Sequence, residues 1–324
     1  MTERYVIVGG SGFVGQELIS LLQKKDIRDI VVLDIIPPKI KTNYFFCDIE
    51  KNVNFEFFPE DIVIHLAARQ YHHKVPRKGR KDFFENVNSR GTENILRQMK
   101  KCNARKMIFF STDMVYGKPM YLPVLENHIC NPFGYYGQSK KKAEDICRYY
   151  RKNENFKITI FRPRMIIGAG RLGILSKLFK LIELNLPVPM IGSGNNYYQM
   201  ISVCDCATAI IKAVEKDIPD SEYNLGSAEP PTVKTLLKHI IRENHSKSIL
   251  LPTWGKGIKL LLKWLGFCGI ELMYKEQYMI ADENYIISTE KAEKELDWHP
   301  QYNDKDMLMA AFDNYKREKE NGKS

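Results

Sequence analysis

From residue 9 to residue 15 the chain runs Gly9-Gly10-Ser11-Gly12-Phe13-Val14-Gly15, directly after the apolar run Tyr5-Val6-Ile7-Val8. A strand must end there, the backbone must turn sharply, and the helical pattern over 17–23 must start almost at once. The segment fits GxxGxxG counted from Gly9 and GxGxxG counted from Gly10. Residues without bulk let backbone N–H groups approach a pyrophosphate, whose charge is favoured at a helix N-terminus. Asp34 follows the second apolar run, 30–33, about twenty residues further on. A carboxylate at that distance accepts hydrogen bonds from a ribose 2′-hydroxyl and repels a 2′-phosphate. NAD is therefore expected over NADP, with Lys39 and Lys41 nearby as the opposing feature.

Apolar runs at 5–8, 30–33, 44–47, 61–66, 106–110 and 158–161 alternate with helical patterns at 17–23, 82–102 and 141–152. Continuous apolar strands separated by helices imply a parallel sheet covered on both faces. The expected class is α/β: a Rossmann doubly wound parallel sheet over 1–165, then a smaller, mixed C-terminal substrate-binding lobe over 166–324. A length of 324 residues suits two lobes. Past Arg162-Pro163 come a glycine-rich loop at 168–173, a helical stretch at 176–183 and a helix at 206–215. The segment near 200–216 is expected to pack back on the first domain. The charged tail after Arg317 should fray.

Tyr136-Gly137-Gln138-Ser139-Lys140 sets a tyrosine four residues before a lysine at a helix start, so both share a face. An ammonium near a phenol favours the phenolate, which can act as a base toward a substrate hydroxyl. Tyr-x-x-x-Lys alone is a weak signal. It gains weight from Ser111-Thr112, which closes a strand at the carboxyl edge of the sheet, where open α/β folds bind ligands. Asn88 precedes Gly91-Thr92 on a helix near the middle of the domain.

Together these pieces resemble the extended short-chain dehydrogenase/reductase family, in its NAD-dependent sugar-nucleotide epimerase/dehydratase branch. The matching segments are 9–15, Asp34, Asp48-Ile49, His65-Leu66-Ala67-Ala68, Asn88 to Thr92, Ser111 to Gly117, Tyr136 to Lys140, Arg162-Pro163, Val203-Cys204-Asp205, Tyr223 to Ser227 and Trp298-His299-Pro300. They run in the family's order over nearly the whole chain. The resemblance implies NAD as cofactor, Tyr136 as catalytic base, Lys140 on the nicotinamide ribose tuning Tyr136, and Thr112 bonded to the reacting oxygen. It implies that Gly9, Gly12, Phe13, Val14 and Gly15 hold the cofactor, that Asp48 and Ile49 flank its adenine, and that Leu66, Ala67 and Ala68 lie along it. Asn88 would steady the central part of the site. Epimerisation needs nothing beyond Thr112, Tyr136 and Lys140. Dehydration needs a further acid/base pair, which family dehydratases carry just after the threonine; here Asp113 can serve but Met114 cannot titrate. The same motifs also admit a hydroxysteroid-type dehydrogenase, or a non-catalytic relative that binds NAD or nucleic acid.

The chain departs from the nucleotide-sugar pattern in two places. The family's asparagine after the Arg-Pro pair is replaced by Arg164-Met165, and Tyr198 stands where many members carry an arginine. Arg164 and Arg171, both near the glycine-rich loop, are the candidates for a diphosphate, since a guanidinium fork suits phosphate; a solvated surface position suits each of them equally. Asp113, Arg164, Arg171 and Tyr198 thus form the expected substrate set, for an activated sugar.

The net charge of +10, from 49 basic and 39 acidic residues, suits nucleic acid, an anionic membrane or a phosphorylated small molecule. No aromatic-basic nucleic-acid module accompanies it, so no specific nucleic acid is expected. The stretch 258–274 holds leucines, Trp264 and lysines that can form an amphipathic surface helix, which makes peripheral membrane contact and a polyprenyl-diphosphate-linked sugar an option beside a core or dimer-contact helix. His72 and His73, with the basic loop 74–81, stand where they can line the site mouth or simply be solvated. No histidine or cysteine cluster has metal spacing, so no metal is expected. An odd seven cysteines, no leader pattern and no long apolar run fit a reduced cytoplasmic protein. The resemblance also implies a homodimer through a four-helix bundle built from 82–102 and 141–152.

Overall fold

In the computed structural model, which describes residues 3–71, 73, 75–168, 175–268, 272–320 and 322, β1 (Tyr5–Val8) is buried at every position. It is followed by α1 (Phe13–Lys24), β2 (Ile30–Asp34), β3 (Asn43–Phe46), β4 (Ile62–His65), α2 (Arg80–Glu85), a π-helical turn (Asn86–Gly91), α3 (Thr92–Lys101), β5 (Lys106–Phe110), α4 (Tyr135–Glu154) and β6 (Lys157–Pro163). The second half adds β7 (Met165–Ile167), α5 (Leu175–Glu183), β8 (Val188–Met190), β9 (Met200–Ser202), α6 (Val203–Glu215), β10 (Glu222–Leu225), α7 (Val233–Glu243), β11 (Leu250–Pro252), α8 (Gly255–Phe267), α9 (Lys275–Met279), α10 (Glu290–Leu296) and α11 (Asp304–Glu320).

The central sheet has seven strands in the order β10-β6-β5-β4-β1-β2-β3. Every pairing is parallel, as expected of a sheet built largely from apolar strands with helices packed on both faces. Strand order reverses between β1 and β4, which opens a crevice at their carboxyl ends. One face of the sheet packs Leu18, Ile19 and Leu22 of α1 together with Cys206, Ile210 and Ala213 of α6. The other packs Ile95, Leu96 and Met99 of α3 with Ala143 and Cys147 of α4. Each fully buried leucine or isoleucine contributes about 2 kcal/mol relative to exposure. Two more parallel pairs, β7 with β9 and β8 with β11, lie outside the sheet. A separate core joins Phe179, Ile182, Leu236, Ile240, Leu308 and Phe312 beneath the second lobe.

Three elements differ from what the sequence suggests. The single helix over 82–102 is α2, a π-helical turn and α3. At Gly91 a Cβ would lie 2.8 Å from the Ile49 side chain, so glycine fits where a side chain would clash, and the Asn88 side chain bonds Ser139 on another element. Single π turns inside α-helices often accompany functional sites. Next, α4 starts six residues before 141. Finally, β10 brings residues 222–225 into the central sheet beside β6. Among the described residues no helix is long and apolar enough to cross a membrane. All seven cysteines are free.

Candidate active site

The glycine turn is held by contacts that exclude side chains. Gly9 has φ +83°, and a Cβ there would lie 2.4 Å from the Ala67 nitrogen. At Gly15 a Cβ would lie 2.4 Å from the Gly10 carbonyl oxygen. Leu66 and Ala67 donate their N–H groups to the Val8 carbonyl at 2.8 and 3.0 Å, which fixes the exit of β4 beside the turn. Gly12 is the N-cap of α1 and has no side chain to bond the first N–H groups; no acidic residue lies in the first turn. That leaves a glycine-walled N-terminus suited to a diphosphate. Phe13 reaches Gly168, where a Cβ would meet its ring at 2.9 Å, and Val14 is buried.

Asp34 ends β2 with one carboxylate oxygen accepting from Ser11 N–H at 3.0 Å and the other from Ile35 N–H at 2.7 Å. It braces the glycine turn from the carboxyl end of β2. Asp48 accepts from Glu50 N–H at 3.1 Å and pairs with Lys51 at 3.3 Å. Ile49 is buried beneath Gly91, and Ala68 is half-buried on the loop after β4.

Asn88 is fully buried and ties three elements together. Its Oδ1 accepts from Arg69 N–H at 2.8 Å, and its Nδ2 donates to the Arg69 carbonyl at 3.1 Å and to Ser139 Oγ at 2.9 Å. Ser139 in turn donates to the Tyr136 carbonyl at 2.7 Å. The π turn therefore grips the first turns of α4, on which Tyr136 and Lys140 are both buried. The ring of Tyr136 lies edge-on to Tyr71 at 5.6 Å. Lys140 places its ammonium 4.1 Å from the centre of the Phe109 ring, at the carboxyl end of β5. Burial pushes its pKa down to about 7. His65 beside it is pushed down to about 3, by burial first and by Lys140 second. Thr92 donates to the Asn88 carbonyl, so its oxygen accepts from His65 Nε2 at 2.9 Å, and His65 Nδ1 is left without a partner.

Thr112 caps a short turn by accepting Met114 N–H at 3.3 Å, and its hydroxyl donates to Asp113 Oδ1 at 3.3 Å. Asp113 Oδ2 is ion-paired with Arg164, and both residues are buried. Arg164 lies 4.2 Å over the Tyr285 ring and 5.4 Å from that of Tyr198. Tyr285 donates to the Asp113 carbonyl at 2.9 Å, and Tyr198 donates to Met165 Sδ at 3.3 Å. Arg164 is therefore not a solvated side chain, and its fork faces a carboxylate of the same chain. Arg171, His72 and Lys74 lie outside the described residues. His73 stays local, its Nδ1 meeting Gln70.

Glu276 and Tyr71 carry no sequence motif, yet they pack against the helix start that bears Tyr136. Gly134, the N-cap of α4, has no side chain, and a Cβ there would lie 1.4 Å from Glu276 Oε1. Burial pushes the Glu276 carboxyl up to about 7, opposed by hydrogen bonds from the Tyr71 hydroxyl and the N–H groups of Tyr136 and Gly137. A carboxyl from α9 thus caps the helix that bears the tyrosine–lysine pair. The carboxyl that caps α4 is therefore not local in sequence. Tyr71 stacks on Tyr274 at 4.4 Å. Among the described residues no group of histidine, cysteine and carboxylate side chains is arranged to hold a metal ion.

Residues 5–226 match the model of the NAD dependent epimerase/dehydratase family. Over 323 residues the chain is 28% identical to the uncharacterized protein y4nG of Sinorhizobium fredii, covering 96% of this chain and 78% of that one. Over 213 residues it is 30% identical to the N-acetyl-alpha-D-glucosaminyl-diphospho-ditrans,octacis-undecaprenol 4-epimerase of Escherichia coli O157:H7, covering 63% of this chain and 60% of that one. In fold it is similar to the UDP-glucuronic acid 4-epimerase of Bacillus cereus, solved with NAD, with a TM-score of 0.76 at 20% identity over 97% of this chain and 99% of that one.

Proposed function

The chain belongs to the NAD dependent epimerase/dehydratase family, and on that premise we propose that it epimerises a diphosphate-activated sugar through a transient keto-sugar. NAD, held by Gly9, Gly12, Gly15 and Asp34, supplies a hydride acceptor and donor when bound. The rest falls to side chains. Tyr136 takes the proton from the hydroxyl on the reacting carbon and returns it once the keto-sugar has presented its other face. Lys140 lowers the phenol's hold on that proton. Thr112 orients the reacting oxygen, and Asn88 fixes the helix start through Ser139. Such placement converts ordinary acid/base groups into effective ones. Arg171, and Tyr198 beside the Arg164–Asp113 pair, belong to the substrate side in this reading. The diphosphate carrier is a nucleotide or a polyprenyl chain. Two copies pairing through α2, α3 and α4 would leave Tyr149, now exposed, at the contact.

The observation that carries epimerisation over dehydration is the state of Asp113. Its two carboxylate oxygens already bond Thr112 and Arg164, and Met114 next to it has no proton to give. Dehydration stays a second reading because of Glu276, a buried carboxyl beside Tyr136 that holds its proton up to about pH 7. The test is incubation of the purified protein with activated sugars, followed by NMR. Epimerisation gives an isomer and leaves the cofactor oxidised, whereas dehydration gives a product lighter by one water. Tyr136→Phe is expected to abolish turnover, by about a thousandfold or more, with NAD still bound. Full activity in that variant would overturn the assignment of the base.

A further inference from the structure

α8 has no buried residue, which removes the reading of this stretch as a core helix. Its outward side is nonetheless apolar. Leu260, Trp264 and Phe267, at spacings of four and three, are 67%, 61% and 91% exposed, and Trp254 just before the helix is 76% exposed. These spacings put the three side chains in one stripe along the helix. Lys256 and Lys263, seven apart and both exposed, run beside it. Lys259 turns the other way, ion-paired with Asp282 and donating to the Met279 carbonyl at 2.9 Å, and so anchors the helix to the lobe. From residue 244 to residue 270 the chain has four lysines and no aspartate or glutamate.

A stripe of large apolar side chains left in water is unfavourable unless something covers it. The charge beside it has one sign, which selects an anionic cover. Tryptophan favours the headgroup level of a bilayer, and lysine stems lie along apolar surface while their ammonium groups reach phosphate. We propose that α8, with Trp254, is an interfacial helix that docks the protein on an anionic lipid bilayer, the stripe at the acyl boundary and Lys256 and Lys263 on the lipid phosphates. The docking is independent of which reaction Tyr136 performs. It would bring the site to activated sugars borne on membrane lipids.

The test is co-sedimentation of the intact protein, at low salt, with vesicles of equal parts phosphatidylcholine and phosphatidylglycerol, and with vesicles of phosphatidylcholine alone. Binding is expected to the first and to be at least about tenfold weaker to the second. W264S/F267S should weaken binding about tenfold or more, and K256E/K263E should remove the preference for anionic vesicles. All four side chains are exposed, so circular dichroism and thermal melts should match wild type. Without any variant, tryptophan emission should shift to the blue on the anionic vesicles and be quenched by doxyl-labelled lipid. No binding to anionic vesicles, undiminished binding by W264S/F267S, or no quenching would overturn the proposal. So would self-association that W264S/F267S abolishes in a protein that ignores lipid, which would assign the stripe to a second copy.

Discussion

Glu276→Gln should make the protein more stable at alkaline pH, although it removes a helix cap. Glu276 is 4% exposed, and burial raises its pKa from the ordinary 4.5 to about 7. The folded state therefore binds this proton more tightly than the unfolded state. The stabilisation from the group is full below pH 4.5 and is lost as pH rises through about 7. The interval corresponds to roughly 3 kcal/mol. Glutamine resembles the protonated form, so the variant avoids that loss. Its NH2 group meets N–H donors on one side, which costs about 1 kcal/mol. The net expectation is a variant more stable than wild type by about 2 kcal/mol near pH 8 and slightly less stable near pH 5.

Urea unfolding of both proteins at several pH values measures this, read as the difference between them. The difference cancels the other buried groups that titrate in the range, such as Asp304, which burial raises to about 6, and His65. A difference that does not change with pH would refute the reasoning. So would a variant that is weaker at pH 8 than at pH 5, because Glu276 would then be stabilising α4 as a charged cap. Activity adds a separate readout: a positioning carboxyl leaves turnover at pH 6 within about tenfold of wild type, whereas an acid in the reaction does not.

Three further substitutions test other parts of the site. Gly15→Ala would put a Cβ 2.4 Å from the Gly10 carbonyl, so the purified variant should retain less than about one tenth of the wild-type cofactor, as read by mass spectrometry; full loading would remove the glycine turn from the cofactor cradle. Arg164→Met leaves Asp113 buried and unpaired, a loss of about 3–5 kcal/mol in urea unfolding that D113L/R164M should largely recover; equal losses in both would mean the two residues are not an isolated pair. Lys140→Met should abolish turnover yet be more stable than wild type at pH 6, on the order of 5 kcal/mol at most. Burial lowers the folded pKa of Lys140 from 10.5 to about 7, so the strain of holding the charge is full below 7, fades as pH rises, and the variant's advantage should vanish above 10.5.

What was legible in the sequence was whatever local pattern dictates. Strands such as β1, β2 and β4 are short runs rich in valine and isoleucine, and the glycine turn lies between one of them and a helical period, so β1, α1 and Asp34 follow from neighbours along the chain. The π turn was not legible, because nothing in the sequence Asn86-Val87-Asn88-Ser89-Arg90-Gly91 marks a wider turn within the helical pattern. It accompanies the close approach of Ile49 to Gly91 and the bonds of Asn88 to Arg69 and Ser139, contacts made with residues distant in the chain. The start of α4 was hidden for a related reason. Helix starts are read from a Ser, Thr, Asp or Asn cap, and here the cap position is Gly134 with the carboxyl arriving from Glu276.

The candidate site is legible in its residue types and not in its pairings. Tyr136, Lys140, Thr112 and Asn88 announce themselves by motif, and the structure sets them on α4, at the end of β5 and on the π turn. Arg164 reads equally well from sequence as a diphosphate ligand, because a guanidinium in a glycine-rich neighbourhood fits that task. Only the fold shows that Asp113, 51 positions away, holds it, with Tyr285 from far along the second lobe closing the cluster. A charged residue's chemistry depends on what its partner leaves free, and partners chosen across the sheet leave no periodic trace. The same holds for Glu276: a glutamate in a short polar helix looks solvated, and becomes a proton-binding group near neutral pH because α9 buries it against Gly134 and Tyr71. In the proposed reading two carboxylates bear on the choice between isomer and dehydrated product: Asp113, already bonded to Thr112 and Arg164, argues against dehydration, and Glu276, which holds a proton up to about pH 7, is the group a dehydration would use.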